Sequence, residues 1–251
     1  MHDKPVALVT GANQGIGFQI AEDLTAKGFT VLLGARNIER GEAAAKEMGP
    51  NAVALQLDVT DRASIAAAAE RVRKEFGRLD VLIQNAAIST TSNHVQTPEE
   101  HGKANRPSIV SLGEMRAVWD TNVFGVLCVY QAMVPILRDT PNSRIVNVSS
   151  GVGSLTLVSD PNSPMRPFFD ITYAASKTAL NALTLAMAIE LEADGIPVNA
   201  VSPGYTKTKI NGFAGTDTLE EGAAEVVRVA LLGSERPTGT FTHATMGVIP
   251  W

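Results

Sequence analysis

Val6-Ala7-Leu8-Val9-Thr10-Gly11-Ala12-Asn13-Gln14-Gly15-Ile16-Gly17 runs from an unbroken apolar stretch into three closely spaced glycines. After it, Ile16, Ile20, Ala21 and Leu24 recur at helical spacing, and Gly28 reads as the helix stop. An all-apolar strand suits a parallel sheet buried on both faces. Glycines let the backbone turn tightly and approach a pyrophosphate, whose charge the helix N-terminus meets. A lone glycine triplet would say little. Placed between a first strand and an amphipathic helix, it predicts a nucleotide-binding turn rather than an empty one.

Working outward, short apolar strands are expected at residues 6–10, 30–33, 52–57, 81–84, 144–148, 197–201 and 239–242, with helical stretches between them. That alternation predicts one α/β domain over residues 1–251, a Rossmann-type doubly wound sheet, mostly parallel and seven-stranded, with helices on both faces. The Ala-rich residues 65–76 form a strong helix candidate. Ser111-Leu112-Gly113-Glu114 has the form of a capping box opening a helix to about Arg138, which Pro135 should loosen near its end. Two polar, proline-containing stretches interrupt the alternation, at 88–110 and 159–170. Both follow strand ends on the side where open α/β sheets bind ligands. The first reads equally as ordinary surface loop. The second, just ahead of Tyr173, is expected to wall or cover a substrate pocket, with Met165, Phe168 and Phe169 as apolar lining or as a plug for the core edge.

The chain has 251 residues, is 45% hydrophobic and carries a formal charge of −5. The modest negative balance, without a basic stripe, argues against nucleic acid as a partner. No apolar stretch of about 18 residues is evident, which argues against a membrane partner, and no signal peptide is apparent. With one cysteine, Cys128, in an apolar run, a reducing, cytoplasmic setting is expected. The four histidines show no metal-ligand spacing, so no metal is expected, and His94 and His101 read as solvent-facing loop residues.

Two further features carry chemistry. NAD-binding folds usually end the second strand on an acid that holds the ribose 2′-hydroxyl. This chain has Leu33-Gly34-Ala35-Arg36 there, with Arg40 one helical turn on. A guanidinium suits a 2′-phosphate, so NADP(H) is expected in preference to NAD(H), although Arg36 also fits the start of a solvated loop. Tyr173 and Lys177 stand four apart on a predicted helix, one above the other. The lysine charge is expected to draw the phenol pKa down toward working pH. Upstream, an apolar strand ends in Ser149-Ser150, hydroxyls suited to a substrate oxygen.

Together these pieces resemble the short-chain dehydrogenase/reductase family, in order, from Val6 to about Thr208. The glycine motif is Thr10-Gly11, Gly15 and Gly17, with Asn13, Gln14 and Ile16 between. Asp58-Val59 resembles the adenine-contacting turn, and Asn85-Ala86-Ala87 the family's Asn-Ala-Gly. Asn122, Ser150, Tyr173 and Lys177 match the catalytic tetrad. Pro203, Gly204, Thr206 and Thr208 resemble the segment that holds the nicotinamide. The run Ala35-Arg36-Asn37-Ile38-Glu39-Arg40-Gly41 and the ending Pro250-Trp251 are similar to carbonyl reductase-like members. Three departures stand out: Gln14 where those enzymes often carry a base, Ala87 for glycine, and 22 residues between Ser150 and Tyr173, more than usual.

The resemblance implies a small-molecule carbonyl or alcohol substrate, with hydride delivered to a carbonyl carbon by the bound cofactor. Ser150 and Tyr173 would meet the oxygen; pairing with the family favours Ser150 over Ser149, and strand alternation points the two to opposite faces. Tyr173 and Lys177 also belong to the cofactor-binding set. Lys177 would hold the nicotinamide ribose, and Asn122 a water linking Lys177 to solvent. Reduction of an aldehyde or ketone is the leading expectation. Alcohol oxidation and a non-catalytic NADP(H)-binding regulator are the alternatives. The family's pairing of its two long helices implies a homodimer or homotetramer.

Overall fold

The computed structural model describes residues 4–92, 98–233 and 237–251. His2 and His94 lie outside them. In chain order the elements are β1 Val6–Thr10, α1 Gly15–Ala26, β2 Thr30–Ala35, α2 Ile38–Met48, β3 Ala52–Gln56, α3 Arg62–Arg71, β4 Val81–Gln84, α4 Pro98–Ala104, α5 Leu112–Trp119, α6 Val126–Arg138, β5 Arg144–Val148, α7 Leu155–Ser159, α8 Tyr173–Glu190, β6 Val198–Ser202, α9 Leu219–Ala230, β7 Phe241–His243 and β8 Gly247–Val248.

One sheet runs in the order β3-β2-β1-β4-β5-β6-β7-β8. The first seven strands are parallel and β8 returns antiparallel to β7. Period-2 alternation sends neighbouring residues to opposite layers. Val6 and Leu8 pack with α3, α6 and α8 residues such as Ile65, Met133 and Leu180. Ala7 and Val9 pack with those of α1, α2 and α9, among them Ile20, Ala44 and Val226. Both faces of β1 are therefore buried, which is why its sequence is apolar without alternation. The chain reverses direction across the sheet between β1 and β4, and a crevice opens above their carboxyl ends.

The seven expected strands are present, with ends shifted by one or two residues. The count is corrected to eight. β8 is two residues long, too short for any periodic signal, and opens on Gly247, which takes a φ of 67° as the chain leaves the turn at 244–246. The capping box is half formed. Ser111 Oγ accepts from Glu114 N at 3.4 Å, but the Glu114 carboxylate turns away to accept from Thr91 N at 2.7 Å and from the Thr91 hydroxyl. The expected helix from 112 to 138 is continuous but passes through a π-turn at Asp120–Gly125. Pro135 removes the donor that Gln131 would meet, yet the helix continues to Arg138. By length and composition, Leu112–Arg138 would suffice to cross a membrane, so the expectation that no such stretch exists is corrected. Here its apolar residues Val129, Met133, Ile136 and Leu137 are buried in the core. The stretch at 88–110 contains α4, and that at 159–170 closes with a short 3-10 turn, Arg166–Phe168.

Candidate active site

The floor of the crevice is a cross-brace between β1 and β4. Thr10 Oγ1 accepts from Asn85 N and Ala86 N, both at 3.0 Å. Asn85 Nδ2 returns to Thr10 O at 3.0 Å and Gly11 O at 3.2 Å. Gly17 is obligatory in this packing, because a Cβ there would lie 2.4 Å from Asn85 Nδ2 and 2.5 Å from Gly11 O. Gln14 precedes α1 in extended backbone with no side-chain cap, and the first turn carries no acid. The first-turn N–H groups therefore lack a side-chain partner where an anion would bind. Asn13, Gly15 and Ile16 are half-buried beside them. The glycine loop thus fits a pyrophosphate.

The remaining cofactor candidates surround this loop. Asp58 is held in its turn, accepting from Thr60 N at 2.9 Å and Thr60 Oγ1 at 2.7 Å, while Val59 is buried. Ala87 is half-buried directly after the brace. Beyond β6, Thr206 Oγ1 donates to Pro203 O at 3.0 Å, and Gly204 leaves room for the Asp217 carboxylate. The Thr208 methyl lies 3.7 Å from where a Cβ on Gly15 would stand, which brings this segment beside the glycine loop. Ser89 Oγ donates to Ile210 O at 2.7 Å, tying the loop after β4 to the loop after β6 across the end of β5. Arg36 and Arg40 are exposed at the end of β2 and the start of α2. Among the described residues neither guanidinium has a partner.

At the end of β5 the two serines separate as alternation predicts. Ser149 is buried, and its Oγ donates to Asn181 Oδ1 at 2.5 Å. Ser150 is half-buried, and its hydroxyl acts on the Tyr173 phenol in the sense that favours ionisation. The next turn, Gly151–Gly153, packs on α8 so tightly that a Cβ on Gly153 would lie 2.8 Å from the Lys177 carbonyl carbon. Met165, from the stretch at 159–170, covers the same turn, and its thioether carbon stands 2.8 Å from where a Cβ on Gly151 would be. Phe168 and Phe169 remain exposed beyond it.

Lys177 Nζ donates to Val148 O at 2.9 Å and sits 5.6 Å from the centre of the Tyr173 ring. Both groups are strongly perturbed. Burial lowers the Lys177 ammonium to about 7. Burial raises the Tyr173 phenol to about 12; the Ser150 hydroxyl opposes that rise and the Asp170 charge adds to it. The downward pull expected of Lys177 on Tyr173 does not appear: burial dominates and the shift is upward. Asn122, in the π-turn, is fully buried. Its Oδ1 accepts from Ile88 N and its Nδ2 donates to Ile88 O, both at 2.9 Å, with a third bond from Nδ2 to Ser176 Oγ at 3.0 Å. The side chain thus clamps the loop after β4 to α8.

Two residues escaped the sequence reading. Asp170 is buried and binds the N-terminus of α8, an arrangement signalled by an acid three positions ahead of Tyr173. His101, expected in solvent, instead stands half-buried with Nε2 3.6 Å from Asp170 Oδ2. No local signal pairs residues 69 positions apart.

The family model for short chain dehydrogenase matches residues 5–218. The chain belongs to this family. It is 36% identical over 242 residues to the short-chain dehydrogenase anuI of Penicillium roqueforti, covering 93% of this chain and 91% of that one. It is 33% identical to the (-)-isopiperitenone reductase of Mentha piperita, over 94% and 95% of the two chains. Among solved structures, salutaridine reductase from Papaver somniferum superposes with a TM-score of 0.80 at 29% identity, covering 95% of this chain and 99% of the other. Family membership makes this protein an oxidoreductase of the alcohol–carbonyl class that takes a nicotinamide cofactor.

Proposed function

We propose that this short-chain dehydrogenase is an NADP(H)-dependent reductase of aldehydes or ketones, with Tyr173 as general acid. The carrying observation is the placement of Ser150 at the carboxyl end of β5 and of Tyr173 on α8, with Lys177 Nζ 5.6 Å from the centre of the phenol ring. When bound, the nicotinamide supplies the hydride. A phenol at about 12 keeps its proton at neutral pH, as the donor in a carbonyl reduction must. Ser150 meets the carbonyl oxygen and stabilises the charge developing on it. Lys177, near the midpoint of its titration at pH 7, favours the phenolate left after proton transfer and has protons free for a ribose hydroxyl beyond its bond to Val148. The Asn122 side chain is spent as a clamp, so any water it holds rests on the main chain of the π-turn.

Gly11, Gly15 and Gly17, braced by Asn85, suit the pyrophosphate. Arg36 and Arg40, exposed and without partners among the described residues, suit a 2′-phosphate. Met165 against the Ser150 turn, with Phe168 and Phe169 beyond, suits an apolar substrate. The test is NADPH oxidation with a panel of aldehydes, ketones and diketones, repeated with NADH, for wild type, Tyr173→Phe and Arg36→Glu. Tyr173→Phe should lose about 100-fold or more in kcat while still binding NADPH. Arg36→Glu should lose the preference for NADPH over NADH. A Tyr173→Phe variant as active as wild type would sink the proposed mechanism, and equal use of both cofactors by wild type would sink the proposed preference.

A further inference from the structure

Asp170 makes more contacts than a helix cap needs. Its Oδ1 accepts from Thr172 N at 2.8 Å, Thr172 Oγ1 at 2.6 Å and Tyr173 N at 2.8 Å. Its Oδ2 takes a longer bond from Ala174 N at 3.4 Å and faces His101 Nε2 at 3.6 Å. The carboxylate is only 5% exposed. Four donors at a helix N-terminus, with the helix dipole behind them, favour an anion there. Burial works to raise its pKa, but the facing His101 and the bonds from Thr172 and Tyr173 outweigh that and leave it below the ordinary carboxylate range.

The carboxylate therefore stays charged, three residues from the phenol, in a setting where charge is weakly screened. Its charge acts on the Tyr173 phenol in the sense that keeps the proton on. His101 ties this arrangement to α4, and Asn105 O adds a backbone bond from Ile171 N at 3.4 Å. The stretch at 88–110 thereby reaches the start of the catalytic helix.

We propose that Asp170, braced by His101, is a positioning residue for carbonyl reduction: it fixes the backbone of Tyr173 and sets a fixed negative charge at the start of the helix that carries the phenol. The inference rests on the proposed role of Tyr173 as acid. The groups facing this pair are Lys177 from α8, which acts in the opposite sense, the Ser150 hydroxyl from the turn after β5, and His101 from α4, which Glu114 of α5 faces in turn.

Asp170→Asn separates the two roles, since the amide oxygen can still accept from Thr172 and Tyr173 while the charge is gone. The measurements are the pH profile of kcat, cofactor binding by fluorescence, and phenol ionisation followed by ultraviolet difference, with Tyr173→Phe subtracted. Asp170→Asn should fold, bind cofactor as wild type does, and ionise Tyr173 about one pH unit lower, carrying the alkaline limb of kcat with it. Asp170→Ala should also lose about 10- to 100-fold in kcat through misplacement of Tyr173. A phenol titration and pH profile that stay at their wild-type positions in a folded Asp170→Asn protein overturn the inference, even if Asp170→Ala fails to fold. If Tyr173→Phe keeps wild-type activity, the proposed function fails instead, and the phenol titration still decides whether Asp170 holds the proton.

Discussion

Lys177 shows what one buried charge costs. With its ammonium lowered to about 7 from 10.5, the folded chain bears the full desolvation penalty below pH 7, where folded and unfolded chains are both protonated. Between about pH 7 and 10.5 the folded chain sheds a proton that the unfolded chain keeps, so stability rises with pH across that window. At about 1.4 kcal/mol per unit the ceiling is near 5 kcal/mol, reduced by the Val148 carbonyl that a replacement leaves bare. Lys177→Met should therefore raise Tm at pH 6 by about 4 °C or more, with the gain shrinking toward pH 10. Scanning calorimetry at pH 6, 8 and 10 checks this, and a lower Tm for the variant at pH 6 contradicts it.

At the scale of elements, the π-turn at Asp120–Gly125 delivers Asn122 to the loop after β4. Asn122→Ala orphans the N–H and C=O of Ile88 in a largely buried setting, a loss of about 2–3 kcal/mol. It also loosens Asn85-Ala86-Ala87 just upstream, so cofactor KM should rise along with the fall in denaturation midpoint. Urea unfolding and cofactor titration test the two effects together, and a stable variant with weakened cofactor binding would show that the clamp is not structural. Most elements were legible in the sequence because buried parallel strands and amphipathic helices write their own periods. The π-turn was not, since one extra residue in a turn leaves the apolar pattern of the flanking helices unchanged. The pairing of His101 with Asp170 was equally hidden, because it joins two irregular stretches through tertiary packing alone. The upward shift of Tyr173 was misread for a related reason: residue spacing gives the lysine's proximity but not the burial that outweighs it.

For the molecule as a whole, the outer faces of the two long helical runs carry exposed apolar residues, Phe124 on one and Leu185 and Ile189 on the other. Such residues suit pairing with a second copy across a twofold, so the wild-type protein is expected to elute as a dimer or tetramer and Leu185→Lys/Ile189→Lys as a monomer. Light scattering on the eluting peak decides it; a wild-type monomer would mean that these residues stay in solvent. The tie from Ser89 to Ile210 spans the end of β5, above Ser150. One hydroxyl–carbonyl bond is worth about 1 kcal/mol net, a bias of roughly five to one for made over broken. Taken alone, that bond is a weak latch between two loops anchored on the strands either side of β5, so Ser89→Ala should cost the fold little.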